Sequence, residues 1–241
     1  MTARRVGILG GTFDPIHYGH LGVAEAAERA LGLTRLYVVT ANVPPHRRQP
    51  VASPFQRYAM VVLAAGHRPG WRASDMELRL EGPSYTSDTL DRYHQRGYQR
   101  SELYFVIGAD AFADITTWHD YPHILNAANF AVVSRPGLPA AALPERLPAL
   151  APRMTLSPPK GSDPGSDPSE TVIFLIDAPT ADVSGTAIRK RRDAGESIAG
   201  LVPPLVQQYI EQHGLYAAKT PGRRAGDTTR RRAAGRLHGQ E

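Results

Sequence analysis

Short, β-branched apolar runs alternate along this chain with longer stretches in which apolar residues return every three or four positions. The runs at 5–9, 36–40, 102–107, 130–134 and 172–176 read as strands, and the last, VIFLID, has the continuous apolar character of a strand buried on both faces. Between them, 21–31, 54–65, 86–96, 109–115 and 121–127 carry helical spacing. Strand and helix in alternation imply βαβ crossovers and hence an α/β fold, a doubly wound parallel sheet covered by helices on both sides. In such sheets ligands lie outside the carboxyl ends of the strands, and the chemically suggestive motifs in this chain are expected to fall there.

Two breaks interrupt the pattern. From 137 to 170 the chain turns rich in Pro, Ala, Ser and Gly, which predicts an irregular surface excursion with one short strand at 154–156 and no site residue. After Tyr216 the large apolar residues almost vanish, so 1–216 is expected to form one domain and 217–241 a disordered tail that cannot offset its chain entropy.

Composition changes this picture in three ways. The net charge of +5 invites a nucleic-acid reading, but Lys219, Arg223, Arg224, Arg230, Arg231, Arg232 and Arg236 stand in the tail against only Asp227 and Glu241. The body is therefore formally neutral, and no dedicated nucleic-acid partner is expected beyond a weak polyanion contact by the tail. With no cysteine, thiolate catalysis, cysteine-bound zinc and disulfides are excluded. MTARRVGILGG has neither the apolar length of a signal peptide nor that of an anchor, and a cytoplasmic protein without membrane attachment is expected.

The candidate chemistry begins directly after the first strand, at Gly10-Gly11-Thr12-Phe13-Asp14-Pro15-Ile16-His17-Tyr18-Gly19-His20. A glycine-rich turn entering a helix presents unpaired backbone N–H groups and the positive end of the helix dipole, both favourable to an anion. His17 and His20, spaced i, i+3, share one face and can each donate an imidazole N–H to the same polyphosphate. No Gly-Lys-Ser/Thr follows and the glycine spacing is not GxGxxG, so neither of those two nucleotide motifs is present. A second strand, loop and helix start follows VIFLID, at Asp182-Val183-Ser184-Gly185-Thr186-Ala187-Ile188-Arg189. There Ser184 can cap the helix, the N–H groups of Thr186 and Ala187 are left for an anion, and Arg189 carries a fixed charge with a planar donor fork one turn on.

The first motif resembles the HxGH signature of the nucleotidyltransferase superfamily, and its longer GGTFDPIH form resembles the bacterial nicotinate-mononucleotide adenylyltransferases. The second resembles that family's SSTxIR signature, with Gly185 in place of the middle serine. The resemblance implies a single Rossmann-like nucleotidyltransferase domain. It also implies functional roles for smaller segments: Pro44-Pro45-His46-Arg47 and Gly82-Pro83-Ser84-Tyr85-Thr86 would face the mononucleotide, with the backbone at Tyr85 and Thr86 meeting the nicotinate ring and Trp118 stacking on it. Gly108 and Asp110, in the family's GxDxxxxxxxW spacing, together with Arg135 in its RPG segment, would lie on the nucleotide side with Gly10, Gly11, Thr12, Phe13, Gly19, Ser184 and Thr186.

The reaction implied is attack of a mononucleotide phosphate on the α-phosphorus of ATP, with pyrophosphate expelled and no protein nucleophile required. His17, His20 and Arg189 are the expected catalytic residues, acting by positioning and charge stabilisation. Mg2+ would come with ATP, and no protein metal site is expected because no carboxylate cluster stands out. Phosphopantetheine adenylyltransferases are the nearest alternative; they share the first half of the layout but lack the Tyr-Thr and Trp segments. A non-catalytic nucleotide or RNA-binding protein is a third reading, and the sequence leaves the oligomeric state open.

Overall fold

The computed structural model describes residues 4–44, 49–156 and 171–218. Its elements, in chain order, are β1 (Val6–Gly11), α1 (Tyr18–Leu31), β2 (Arg35–Thr40), α2 (Pro54–Ala65), β3 (Trp71–Ser74), α3 (Thr86–Gln95), β4 (Leu103–Gly108), α4 (Ala109–Phe112), β5 (Asn129–Val133), α5 (Leu143–Arg146), β6 (Met154–Leu156), β7 (Ile173–Ile176), α6 (Gly185–Asp193) and α7 (Pro204–Gln212). The seven strands form one sheet in the order β3-β2-β1-β4-β5-β7-β6, and each neighbouring pair is parallel. This is the doubly wound α/β architecture expected from the sequence. The order reverses at β1, which pairs with β2 on one side and β4 on the other, and a crevice at the carboxyl ends of the strands follows from that reversal.

Each face of the sheet has its own core. Alternate strand residues such as Leu9, Leu36, Val38 and Val106 pack with α1, α2 and α7 through Leu21, Ala24, Met60, Val61, Val206 and Ile210. Ile8, Val39, Phe105 and Val132 face the other way, against Leu90 and Tyr93 of α3, Phe112 of α4 and Leu143 of α5. Helix ends follow local chemistry. The Ser53 hydroxyl accepts from the Gln56 N–H while the Gln56 side chain accepts from the Ser53 N–H, with Pro54 behind the cap, and α1 stops at Gly32 in the left-handed conformation.

The structure departs from the sequence reading in several elements. β1 runs on through Gly10 and Gly11, so the turn begins at Thr12 rather than at the glycines. β3 was not expected: it has four residues at the sheet edge, and only Trp71 of the four is buried, so no apolar run announces it. The 109–115 helix shortens to α4, and 121–127 holds a 3-10 turn at His123–Asn126 instead of an α-helix. α7 is an additional helix. Within the excursion at 137–170, residues up to 156 are folded, with Ala140, Leu143 and Leu150 buried against the sheet. Its remainder, 157–170, and the tail from 219 lie outside the described residues.

Candidate active site

The β1–α1 connection builds one end of the crevice. His17 is the N-cap of α1 in an extended conformation and His20 is its third residue, so the two imidazoles stack with centroids 3.7 Å apart. The His17 N–H donates to His20 Nδ1 at 3.3 Å, which places the His20 proton on Nε2. His17 is only 4% exposed. Burial, helped by the Arg135 guanidinium, lowers its pKa to about 4, so it is neutral at pH 7. Its Nδ1 is buried and has no partner.

Gly19 between the histidines is a steric necessity. A Cβ there would stand 2.9 Å from the Val183 carbonyl oxygen and 3.0 Å from the His17 ring. The two sequence signatures, from opposite ends of the domain, thus meet at this glycine.

The second signature enters α6. Ser184 is its N-cap, and its hydroxyl accepts from the Ala187 N–H at 3.2 Å. That bond uses one of the two amides the sequence reading left for an anion, because the cap itself claims it. Arg189 donates to the Asp14 carbonyl at 2.5 Å and to the Thr186 hydroxyl at 3.1 Å, and it lies 3.8 Å from the Asp14 carboxylate. Gly185 has a physical role here: a Cβ would sit 3.1 Å from both Arg189 Nη1 and the Asp14 carbonyl oxygen, tighter than ordinary contact.

Arg135 follows β5 and donates to the Gly19 carbonyl at 3.0 Å, 4.0 Å from the Asp110 carboxylate at the start of α4. Gly108, Asp110 and Arg135 are therefore grouped beside the histidines. Phe13, buried and with φ of 51°, sets its ring edge-on to His20. Gly11 lies beneath the Phe13 ring.

The other end of the crevice is formed by the segments after β2 and before α3. They are laced together by backbone: the Ser84 N–H donates to the Val43 carbonyl at 2.8 Å, the Asn42 N–H to the Ser84 hydroxyl at 2.9 Å, and the Asn42 amide to the Leu80 carbonyl at 2.8 Å. Tyr85 occupies the N-cap of α3, and no side chain caps it. The Tyr85 ring stacks on His119 at 4.1 Å, and Ser87 meets His119 Nδ1 at 3.2 Å. Trp118 is half-buried, edge-on to Phe105. His46 and Arg47 lie outside the described residues.

Several supporting residues were not singled out from the sequence. Arg57 is fully buried and donates to four carbonyls: Thr12 at 2.6 Å, Ala41 at 2.7 Å, Asn42 at 3.0 Å and Ala52 at 3.3 Å. Burial lowers its pKa while Asp14 opposes the shift. Asp14 accepts from Val51 N–H, Ala52 N–H and the Tyr216 hydroxyl. Burial, and secondarily Asp14, push the Tyr216 pKa well upward, so the phenol keeps its proton and donates. Glu77 lies buried under the 84–89 segment, its pKa raised by burial against the opposing hydroxyls of Thr89 and Ser84. Asp14 sits inside the quoted motif, yet only tertiary structure reveals its partners; Arg57 carries no signal in a sequence that reads as a surface helix.

Among the described residues no group of three or more His, Asp or Glu side chains converges as metal ligands, and no helix is long and apolar enough to cross a membrane. The donors at the histidine end are imidazole, guanidinium and amide groups, which suit phosphate oxygens.

Comparison with known proteins bears on this geometry. The cytidylyltransferase-like family model matches residues 8–191. A nicotinate-nucleotide adenylyltransferase from Escherichia coli O6:H1 (strain CFT073) is 40% identical over 210 residues, 87% of this chain and 97% of that one. A protein from Roseiflexus sp. (strain RS-1), named probable nicotinate-nucleotide adenylyltransferase, is 40% identical over 219 residues, 90% of this chain and all of its own. In fold, the chain is similar to Plasmodium falciparum nicotinic acid mononucleotide adenylyltransferase complexed with NaAD, with a TM-score of 0.63 at 19% identity, covering 88% of this chain and 97% of that one.

Proposed function

The chain belongs to the nicotinate-nucleotide adenylyltransferase family within the cytidylyltransferase-like group, and from that membership we propose that it joins ATP to nicotinate mononucleotide in NAD biosynthesis, releasing pyrophosphate. The observation that carries this reading is the contact of the two signatures, in which the stacked His17–His20 pair and the Arg189 helix start share one crevice at Gly19 and Asp14.

An oxygen of the mononucleotide phosphate attacks the α-phosphorus of ATP, forming the new P–O bond as the bond to the β-phosphate oxygen breaks, and the electron pair leaves with pyrophosphate. The attacking phosphate is already anionic, so no side chain need remove a proton; the chain's contribution is placement and charge stabilisation. Neutral His17 and the Nε2–H of His20 donate to α-phosphate oxygens, and Arg189 meets the departing pyrophosphate with its charge. Magnesium supplied with ATP would neutralise charge on its phosphates; among the described residues no cluster of carboxylates and histidines converges to hold it, and Asp14 is already occupied by backbone and Tyr216 donors. At the other end the Tyr85–Thr86 backbone and Trp118 receive the pyridine ring, and His46 and Arg47 are proposed to face the mononucleotide.

Pyrophosphate release tests this, measured with magnesium-ATP and, separately, nicotinate mononucleotide, nicotinamide mononucleotide and 4'-phosphopantetheine. Release is expected to be strongest with nicotinate mononucleotide and lost in His20→Ala. Release with phosphopantetheine alone would sink the reading.

A further inference from the structure

Asp14 stands between the two ends of the crevice and is bonded to both. On one side its carboxylate accepts from the N–H groups of Val51 at 2.8 Å and Ala52 at 3.1 Å, the residues at which the chain returns from the 45–48 segment to α2. On the other side its backbone carbonyl accepts from Arg189, whose guanidinium is also 3.8 Å from the carboxylate. A third donor, the Tyr216 hydroxyl at 2.8 Å, comes from the loop after α7 and lies in the buried interior. Arg57 closes the arrangement from beneath by donating to the Ala52 and Thr12 carbonyls, so the peptides around Asp14 and Ala52 are held from two directions.

We propose that Asp14 is a positioning residue that couples the two substrate ends: it fixes the base of the loop after β2 through Val51 and Ala52, and it orients Arg189 at the phosphate end. The argument rests on satisfaction and geometry. Asp14 is 8% exposed, and a carboxylate so buried stays put only while its acceptor sites are filled. Its donors come from three separate parts of the chain, 51–52, Arg189 and Tyr216, so a shift of any one changes the others' bonds. When ATP phosphates engage the outward donors of Arg189, the guanidinium loses its freedom and the Asp14 peptide with it, and the Val51 and Ala52 amides are held more tightly. Binding at one end then prepares the other, a reciprocal coupling.

The inference rests on the functional reading only in taking Arg189 to face ATP phosphates, and its test needs no second substrate. Amide hydrogen exchange at Val51 and Ala52 is measured in the full chain with and without saturating magnesium-ATP. In the unaltered chain ATP is expected to slow exchange at both amides by roughly threefold or more, an effect on the order of 0.7 kcal/mol. Tyr216→Phe keeps the ring and its packing and removes only the hydroxyl; in it the slowing is expected to shrink to near nothing while ATP still binds. Asp14→Asn is expected to abolish it. Unchanged or faster exchange on ATP addition to the unaltered chain would overturn the proposal, and so would full slowing in Tyr216→Phe. A chain that binds no magnesium-ATP fails the functional reading and this inference together, whereas one that binds ATP without altering the two amides fails this inference alone.

Discussion

The two ends of the crevice are built by different means. The phosphate end is local: β1, its turn and the first residues of α1 bring Phe13, His17, Gly19 and His20 together within one strand–helix connection, and α6 adds a second. The acceptor end is assembled from distant segments, with 41–43, 51–52 and 83–85 tied by Arg57, Asp14, Ser84 and Asn42 into a surface that no single stretch of sequence contains. Loss of a single donor at the first end is therefore expected to act mainly on catalysis, whereas the second end cannot lose its bonds without also losing stability.

The largest test of that contrast is His20→Ala. With one transition-state donor gone, kcat is expected to fall about 10²–10³-fold with KM for both substrates nearly unchanged, while loss of the bond from the His17 N–H and of the ring stacking lowers the melting temperature only modestly, an effect on the order of 1 kcal/mol. A parallel drop in melting temperature would mean the phosphate end is structural as well. Arg57→Met should do the opposite. Four carbonyls lose a donor that is itself fully buried, unfolding free energy is expected to fall by roughly 3 kcal/mol in denaturant titration, and KM for the mononucleotide should rise.

His17 gives a pH-dependent version. Its folded pKa of about 4 lies below the value of 6.5 it has when unfolded, so on acidification the unfolded chain gains the proton first. The stabilisation is full above pH 6.5 and is lost as pH falls toward 4, by about 3 kcal/mol in all. In His17→Gln, stability measured across that window should decline less steeply than in the unaltered chain; equal slopes would show that His17 is not the group responsible.

Ser84→Ala is the finer probe of the acceptor end. It removes a hydroxyl that accepts from Asn42 and faces Glu77, and it is expected to cost about 1–2 kcal/mol of stability and to raise mononucleotide KM several-fold at constant ATP KM. An equal rise in ATP KM would dissolve the distinction between the two ends. The smallest effect is expected from Gly185→Ser, where the neighbours must yield only a few tenths of an ångström; kcat should change by less than about threefold, as a shift of well under 1 kcal/mol at Arg189 implies.

The same contrast explains what could be read before folding. Both signatures and the sheet class were visible because each motif is a strand end with its chemistry in the next few residues, whereas Gly108, Asp110 and Arg135 were picked out only through the family resemblance. β3 was invisible because a short edge strand with one buried side chain carries almost no periodicity. The Ala187 amide was misassigned because capping and anion binding compete for the same N–H, and sequence does not choose between them. Arg57, Tyr216 and Glu77 owe their importance to carbonyls, carboxylates and hydroxyls brought from elsewhere in the chain, and no spacing rule announces those.

The bond from Tyr216 to Asp14 spans 202 positions. During synthesis the glycine-histidine motif is made first and the tyrosine among the last residues of the body, so the carboxylate at the heart of the crevice waits for nearly the whole domain before its donors are complete. The expectation is that a growing chain can fold β1, α1 and β2 early yet acquires an ordered crevice only when the polypeptide through Tyr216 has docked, which ties the appearance of the site to completion of the body that supports it.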